Sequence, residues 1–216
     1  MQYYPIFLDL RGRRVVVVGG GKVAERKVRG LVRAQATVHV ISPRLTPRLA
    51  LLAAKQKVAV TARAYRKGDL KRAALVFAAT NDPATQRAIR RDAEAAGAFV
   101  NLADNPRDST FLLPASFSQG DLLVAISTSG ASPTLARRLR KQLQATVGSD
   151  YRAYLRFMRE ARRQVMGLIP NQQQRARVFR KLAADLGTDW VRTAKSSQAP
   201  GEVRKLLRKL GIKTRS

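Results

Sequence analysis

Two residue types that build metal and redox sites are nearly missing from this chain of 216 residues, which contains no cysteine and one histidine. Without thiols the chain cannot form a disulfide, a thiolate zinc site, an iron–sulfur cluster or a cysteine nucleophile. The one imidazole, His39, cannot build a multi-histidine metal site, and it lies in the alternating apolar run 37–41. We therefore predict no resident metal site and an ordinary strand position for His39.

Long apolar runs are also absent. The longest of them is a handful of residues, far short of the roughly 18 that a membrane-spanning helix needs. The first residues lack the charged and then apolar pattern of a secretory signal. These absences predict a cytoplasmic protein with no membrane partner.

Acidic residues are scarce as well: 14 Asp and Glu oppose 42 Lys and Arg, which gives a formal net charge of +28. The imbalance is densest in residues 151–216, which carry 17 basic and four acidic side chains. A surface of this kind attracts nucleic acid, anionic lipid or a polyanionic small molecule. We therefore expect this protein to bind an anionic partner.

Strand and helix patterns alternate through the first half of the chain. A β-branched run ends at three glycines, and the helix pattern at 22–33 is followed by a strand pattern at 37–41. The alternation continues through a helix that is predicted to start at Asp82-Pro83 and ends with a strand at 99–102. This order predicts an α/β fold with a Rossmann-type, doubly wound parallel sheet.

The pattern changes near residue 110. Strands at 110–113 and 121–127 suggest a hairpin, and a helix follows from Ser132. The rest is helical, with breaks expected near Pro170 and Pro200. We predict three parts: a dinucleotide-binding domain over 1–110, a small α+β segment over 111–147, and a basic helical region over 148–216.

The glycine turn carries the most informative motif. Gly19, Gly21 and Ala24 fit G-x-G-x-x-A between a strand and a helix. Gly19 permits the tight turn, Gly21 allows close approach of a pyrophosphate, and Ala24 allows close helix–strand packing. The motif predicts a dinucleotide cofactor at the N-terminus of the following helix. Thr80 ends a later strand at the same sheet edge and is a second candidate contact.

The acidic residue that usually binds the ribose is missing, because the second strand runs into Ser42-Pro43-Arg44. Arg44 could accept the 2′-phosphate of NADP. Alternatively, it could stack on adenine while Ser42 holds a ribose hydroxyl. These residues leave the choice between NAD and NADP open.

Asp104 follows the predicted strand at 99–102 and lies at the same sheet edge as the glycine turn. Its carboxylate could accept a proton while a hydride leaves for a nicotinamide. The residue equally fits a turn-forming role, because Asp before Asn-Pro is common in loops.

Six linked motifs carry a family resemblance. They are Pro5–Leu10, Val18–Lys27, Ala78–Asn81, Asn101–Asp104, Phe111–Pro114 and Ile126–Arg137. In order and spacing they resemble the precorrin-2 dehydrogenase / sirohydrochlorin ferrochelatase module of siroheme synthase. The resemblance is close over residues 1–147, and the chain has no room for that enzyme's methyltransferase domain.

The resemblance implies NAD-dependent oxidation of precorrin-2 to sirohydrochlorin and, in some members, insertion of ferrous iron as a second substrate. It implies a homodimer in which segment 111–147 swaps between subunits and helps form the active site. Asp104 then becomes the acid/base, and Gly21, Lys22, Val23, Pro43 and Arg44 become contacts to NAD.

The implied substrate carries eight carboxylates, which Arg and Lys can bind through charge-assisted hydrogen bonds. Arg137 is one candidate, although a solvated helix face explains its charge equally well. Thr128, Ser129 and Ser132 could bind a carboxylate at a helix N-terminus, or they could simply form a loop and a helix cap. Asn101 of the N-x-x-D motif completes the predicted substrate set.

A competing hypothesis is a Rossmann-type sensor or regulator whose basic tail binds nucleic acid or an anionic surface. Residues 203–210 would be its basic amphipathic helix. The tail has few aromatic residues for base stacking, so we expect no specific nucleic-acid partner.

Overall fold

The computed structural model describes residues 3–103, 105–148, 150–185 and 199–210. The chain divides into two compact units, Met1–Leu113 and Pro114–Ser216. Within the described ranges, no helix is both long and apolar enough to cross a membrane. The predicted further division at residue 147 stays a prediction.

Strands and helices alternate through the first unit. Their bounds are β1 (Arg14–Val18), α1 (Lys22–Arg33), β2 (Thr37–Ile41), α2 (Pro47–Ala54), β3 (Ala59–Thr61), β4 (Leu75–Ala78), α3 (Pro83–Ala95) and β5 (Phe99–Leu102). These strands pair in parallel in the order β3-β2-β1-β4-β5. The chain winds outward from β1 to β3 and then returns to place β4 on the other side of β1. The predicted doubly wound sheet is therefore confirmed, and its switch point lies between β1 and β4.

The sheet is covered on both faces, which is why its strands are runs of apolar residues rather than alternating ones. Val15 and Val17 pack with residues of α1 and α2, whereas Val16 and Val18 pack with residues of α3. All four valines are at most 3% exposed. Burial of such a side chain stabilises the fold by roughly 1.5–3 kcal/mol, so β1 is firmly held beneath the glycine turn.

Helix α3 begins where the sequence predicts, at Asp82-Pro83. The Asp82 carboxylate accepts hydrogen bonds from the backbone N–H groups of Ala84 at 3.2 Å and Thr85 at 3.0 Å. The Thr85 hydroxyl and these N–H groups hold the pKa of Asp82 below its usual range. Pro83 fits the first helical position because no intrahelical donor is needed there. The first N–H groups of α3 are therefore bonded within the chain.

The second unit begins with an antiparallel hairpin of β6 (Ala115–Gln119) and β7 (Leu122–Ile126). The predicted hairpin is present, but the prediction that its first strand lies at 110–113 is wrong. The Thr110 amide donates to Val100 O at 2.8 Å, and the Thr110 hydroxyl accepts from the Val100 amide at 2.7 Å. This segment thus bonds to the edge of β5, and β6 starts only after Pro114, which has no N–H to donate to a ladder.

Four helices follow the hairpin among the described residues: α4 (Pro133–Thr146), α5 (Asp150–Leu168), α6 (Gln172–Asp185) and α7 (Ala199–Lys209). The predicted helical C-terminal region is confirmed. Pro170 separates α5 from α6 as predicted, whereas Pro200, which we expected at a break, lies in the first turn of α7.

A shared core joins α5, α6 and α7. Its buried residues are Phe157, Ala161, Val165, Ile169, Val178, Leu182, Val203 and Leu207. The apolar residues Val203 and Leu207 of α7 therefore pack inside the protein and are not free to insert into a lipid surface. This finding weighs against lipid insertion by the basic tail and leaves its binding of nucleic acid untested.

Candidate functional site

The carboxyl ends of β1 and β4 lie side by side at the switch point. The Ala79 amide donates to Val18 O at 2.7 Å, and the Gly19 amide donates to Ile41 O at 2.9 Å. Beyond these bonds the chain turns into α1 on one face of the sheet and into α3 on the other. The two connections thus leave the sheet on opposite faces, and doubly wound sheets bind ligands at such a point.

Close backbone contacts explain two of the three glycines. Gly19 has φ of +118°, and a Cβ there would lie 2.3 Å from Ala79 O. A Cβ at Gly20 would lie 1.9 Å from Arg44 O. The motif had singled out Gly19 but not Gly20, although the run of three glycines was the available signal. These two residues pack the turn against the ends of β4 and β2.

Gly21 differs from its neighbours because it is open. A Cβ there would meet nothing within 4 Å, and Gly21 begins α1 without any side-chain hydrogen bond to the first N–H groups. Lys22 and Val23 are exposed beside it. Uncapped N–H groups at a helix start, next to a lysine, fit the pyrophosphate of a dinucleotide. The described residues therefore fit the predicted cofactor.

The loop after β2 is shaped from inside the chain. Ser42 is 7% exposed, and its hydroxyl donates to Arg44 O at 2.7 Å. This bond presents the Arg44 carbonyl to Gly20 and leaves Pro43 and the Arg44 side chain exposed. Ser42 thus has an internal role in holding the loop, while a direct bond from Ser42 to a ribose stays a prediction.

Thr80 lies at the end of β4, where its hydroxyl accepts from the Asp82 amide at 3.3 Å. Its carbonyl accepts from Gln86 Nε2 at 2.7 Å. The side chain is half-buried. Thr80 therefore joins the end of β4 to the start of α3, and its predicted contact with the cofactor is untested.

Asn101 is buried and already bonded on both sides. Its Oδ1 accepts from Lys27 Nζ at 2.8 Å, and its Nδ2 donates to Phe111 O at 3.1 Å. Lys27 also lies 4.9 Å above the centroid of the Phe77 ring. The amide thus ties α1, β5 and the chain after β5 together, which is a structural role; its predicted contact with substrate stays a prediction.

Sequence reasoning missed Lys27. Its position was nevertheless visible, because Lys27 falls on the same helical stripe as the buried residues Ala24, Val28 and Leu31. A cation on a buried stripe needs a partner, and Asn101 supplies one.

Asp104, the predicted acid/base, lies outside the described residues. The chain on either side of it is well defined: the Ala103 amide donates to Ala78 O at 3.0 Å, and the Ser109 hydroxyl donates to Asn105 O at 2.9 Å. β5 is therefore bonded to β4 up to the residue before Asp104.

The predicted substrate residues of the second unit share the start of α4. Ser132 Oγ caps the helix by accepting from the Leu135 amide at 3.2 Å, and Thr128 Oγ1 accepts from the Ser132 amide at 3.0 Å. Ser129 and Arg137 are exposed, and Arg137 Nε donates to Pro133 O at 3.2 Å. The loop-and-cap interpretation of Thr128 and Ser132 thus has direct support, and their binding of substrate stays a prediction.

His39 lies in β2, as predicted. Its ring nitrogens are 3.0 Å from Arg14 Nη2 and 2.8 Å from Thr61 Oγ1. Burial, followed by the charge of Arg14, lowers the pKa of His39 from its ordinary value. In the part of the chain that the structure describes, no group of three His, Cys, Asp or Glu side chains could hold a metal ion.

Comparisons with known proteins agree with this geometry. The family model described as "Putative NAD(P)-binding" matches residues 6–115, and the model described as "Sirohaem biosynthesis protein central" matches residues 119–146. Siroheme synthase of Nitrosomonas europaea is 39% identical over 176 residues, or 81% of this chain and 37% of that relative. Siroheme synthase of Chromobacterium violaceum is 35% identical over 205 residues, or 95% of this chain and 44% of that relative.

A solved structure of "SirC, precorrin-2 dehydrogenase" is also similar. It superposes with a TM-score of 0.76 at 28% sequence identity, covering 94% of this chain and 100% of that one. The chain thus spans less than half the length of the two siroheme synthases but the whole of the dehydrogenase structure.

The open glycine turn at the switch point of a parallel sheet defines a dinucleotide-binding protein of the Rossmann class. The chain belongs to the NAD(P)-binding family of siroheme synthase modules, since the NAD(P)-binding model covers its first unit and the sirohaem central model follows directly. The resemblance inferred from the six motifs is therefore confirmed.

Proposed function

We propose that this protein acts in siroheme biosynthesis as an NAD-dependent precorrin-2 dehydrogenase, an oxidoreductase that forms sirohydrochlorin. The observation that carries the proposal is the uncapped helix start at Gly21, which lies at the switch point of a sheet similar to that of a precorrin-2 dehydrogenase. Gly21 itself supplies no side-chain hydrogen bond to those N–H groups.

The reaction removes one hydride and one proton from the reduced macrocycle. When bound, the nicotinamide supplies the hydride acceptor. Gly21 and Lys22 would bind the pyrophosphate, and Gly19 keeps the turn close to β4. Asp104 accepts the proton from the macrocycle as a general base. The hydride and the proton thus leave the same substrate, the hydride to the nicotinamide and the proton to Asp104.

NAD is proposed over NADP on the strength of the family resemblance. In the structure the Arg44 side chain is exposed beside the loop that Ser42 holds. An arginine at this place would tolerate a 2′-phosphate, so comparison of the two cofactors belongs in the first assay.

A homodimer is part of the proposal. Along α4, Leu135, Leu139 and Leu143 are 45%, 36% and 42% exposed at four-residue spacing. Such a stripe on one helix face needs a covering partner, and a second copy of segment 111–147 would provide the same stripe. Thr128, Ser129 and Arg137 would then lie at the dimer's substrate site.

The test is anaerobic conversion of enzymatically prepared precorrin-2 in the presence of NAD or NADP, followed by sirohydrochlorin absorbance. We expect turnover by the wild type and none by a folded Asp104→Asn protein, with Glu94→Gln, an exposed carboxylate on α3, as the matched control. Ferrous iron added afterwards tests insertion as a second reaction. Absence of turnover with either cofactor from a folded wild-type dimer would refute the enzyme assignment.

The basic-tail hypothesis would be favoured only if that assay shows no turnover with either cofactor. Exposed Lys205, Arg208 and Lys209 on α7 keep the charge that motivates it. Steep salt dependence combined with sequence preference in DNA binding would support it. The predicted cytoplasmic location also stays a prediction.

A further inference from the structure

A basic cleft of about 380 Å³ lies in the first unit, between α3 and the chain that follows β5. One wall is formed by Arg87, Arg90 and Arg91. The other wall includes Asn105 and Asp108. None of these residues belongs to the predicted site.

The three arginines occupy one side of α3 because positions i, i+3 and i+4 of a helix are neighbours. Arg87 and Arg91 are exposed, while the Arg90 side chain is 34% exposed. Arg90 Nη1 donates to Asp108 O at 2.8 Å, and its Nε is buried without a hydrogen-bond partner among the described residues. The backbone thus holds one guanidinium in place, while one of its donors has no acceptor in the part of the chain that the structure describes.

The local charge strongly favours an anion. Asp108 is the one acid among the described lining residues, with its Oδ1 3.5 Å from Arg90 Nη1. Its Oδ2 accepts from Asn105 Nδ2 at 2.5 Å. The described lining thus carries three arginines and one carboxylate, and that carboxylate already accepts a hydrogen bond from the Asn105 amide.

The cleft adjoins the proposed reaction site. Gln86, which also lines it, donates to the carbonyl of Thr80 at the end of β4. Leu102, another lining residue, ends β5. Because β5 is two strands from β1 and strands lie about 4.8 Å apart, the end of β5 lies roughly 10 Å from the glycine turn.

We propose that this cleft binds peripheral carboxylates of the macrocyclic substrate, with Arg87, Arg90 and Arg91 as the contacting cations. The inference rests on the proposed function, since it names where that substrate's acidic side chains bind. Guanidinium groups suit this role because each offers parallel N–H donors that match a carboxylate. If the three arginines were only solvated side chains on α3, neither the concave wall nor the hydrogen bond that fixes Arg90 would be expected.

The test is an equilibrium titration of the full chain with uroporphyrin I, a stable octacarboxylate macrocycle, followed by porphyrin fluorescence. The triple variant Arg87→Gln/Arg90→Gln/Arg91→Gln is compared with Arg29→Gln/Arg33→Gln/Arg48→Gln, which removes three exposed charges from α1 and α2. We expect the first variant to bind at least about tenfold more weakly and the control to change less than about twofold. Equal weakening in both variants would overturn the proposal, because bulk charge would then explain binding.

A double variant and a competition with phosphate separate this proposal from misfolding and from general anion binding. The double variant Arg87→Gln/Arg91→Gln changes only exposed side chains, so its loss of affinity cannot come from misfolding. Inorganic phosphate as competitor distinguishes a general anion site from a carboxylate site: displacement of uroporphyrin by phosphate at equal concentration would overturn the assignment. Binding is measured without NAD, so a protein that binds uroporphyrin through this cleft but does not oxidise precorrin-2 would refute the proposed function separately.

Discussion

Two helix starts in this chain were predicted to bind ligands, and they differ in one respect. Helix α4 begins at Ser132, whose hydroxyl caps its N–H groups, whereas α1 begins at Gly21 with no side-chain cap. A capped start has its donors engaged within the chain, while an uncapped one leaves them for a ligand. The contrast predicts that the start of α1, rather than that of α4, binds an anion.

The largest expected effect comes from crowding the glycine turn. In Gly20→Ala the new Cβ would overlap Arg44 O, so the loop after β2 must shift at a cost of about 1–3 kcal/mol. Gly21→Ala meets no atom within 4 Å and should cost less than about 1 kcal/mol. Denaturant melts of the two variants measure the difference, and equal stability would contradict the packing assigned to Gly20.

The next largest effect is expected at Lys27, which joins α1 to β5 through Asn101. Lys27→Met removes the donor to the buried Oδ1 of Asn101 and should cost about 1–3 kcal/mol of unfolding free energy. In the double variant with Asn101→Leu, the losses should be less than additive because the two residues share one interaction. Fully additive losses would mean that this bond contributes nothing.

A smaller effect is expected at the capped start. Ser132→Ala should cost about 1 kcal/mol and speed hydrogen exchange at the start of α4. NAD affinity, measured by calorimetry, should not change in this variant. A fall in NAD affinity in Ser132→Ala would contradict the distinction between the two helix starts.

The smallest expected effect is that a fall in pH lowers the stability of the first unit more than that of the second. Because the pKa of His39 is lowered in the folded protein, the unfolded chain takes up a proton first as the pH falls below the ordinary value of 6.5. Stability of the first unit should therefore decline with falling pH from there until the folded pKa is passed, and it should be flat above. Hydrogen exchange at pH 7 and pH 5.5 should show the loss in β2, and His39→Gln should remove it.

Sequence patterns predicted the first unit well because its signals are local. The β-branched run of β1, the stripe of α1 and the Asp82-Pro83 start each occupy a few consecutive residues, and the structure has each where expected. The strand at 110–113 failed because Thr110 bonds instead to Val100, ten residues earlier, through its own hydroxyl. No periodicity encodes that contact.

Site residues were predictable only in part for a similar reason. The glycine motif located Gly19 and Gly21, but the close approach of Gly20 to Arg44 depends on how β2 and β1 pair. Likewise no sequence pattern singled out Arg87, Arg90 and Arg91, because only the return of residues 105–108 makes a cleft beside them.

The most direct test of this account is the initial rate of sirohydrochlorin formation from precorrin-2 and NAD, compared between wild type and Gly21→Asp. The new carboxylate would cap α1, as Asp82 caps α3. It would also repel the negative charge of a pyrophosphate. We predict turnover by the wild type and a loss of about 100-fold or more in the variant, with a melting temperature at least as high. A variant that keeps the wild-type rate would contradict the claim that the glycine turn binds the cofactor.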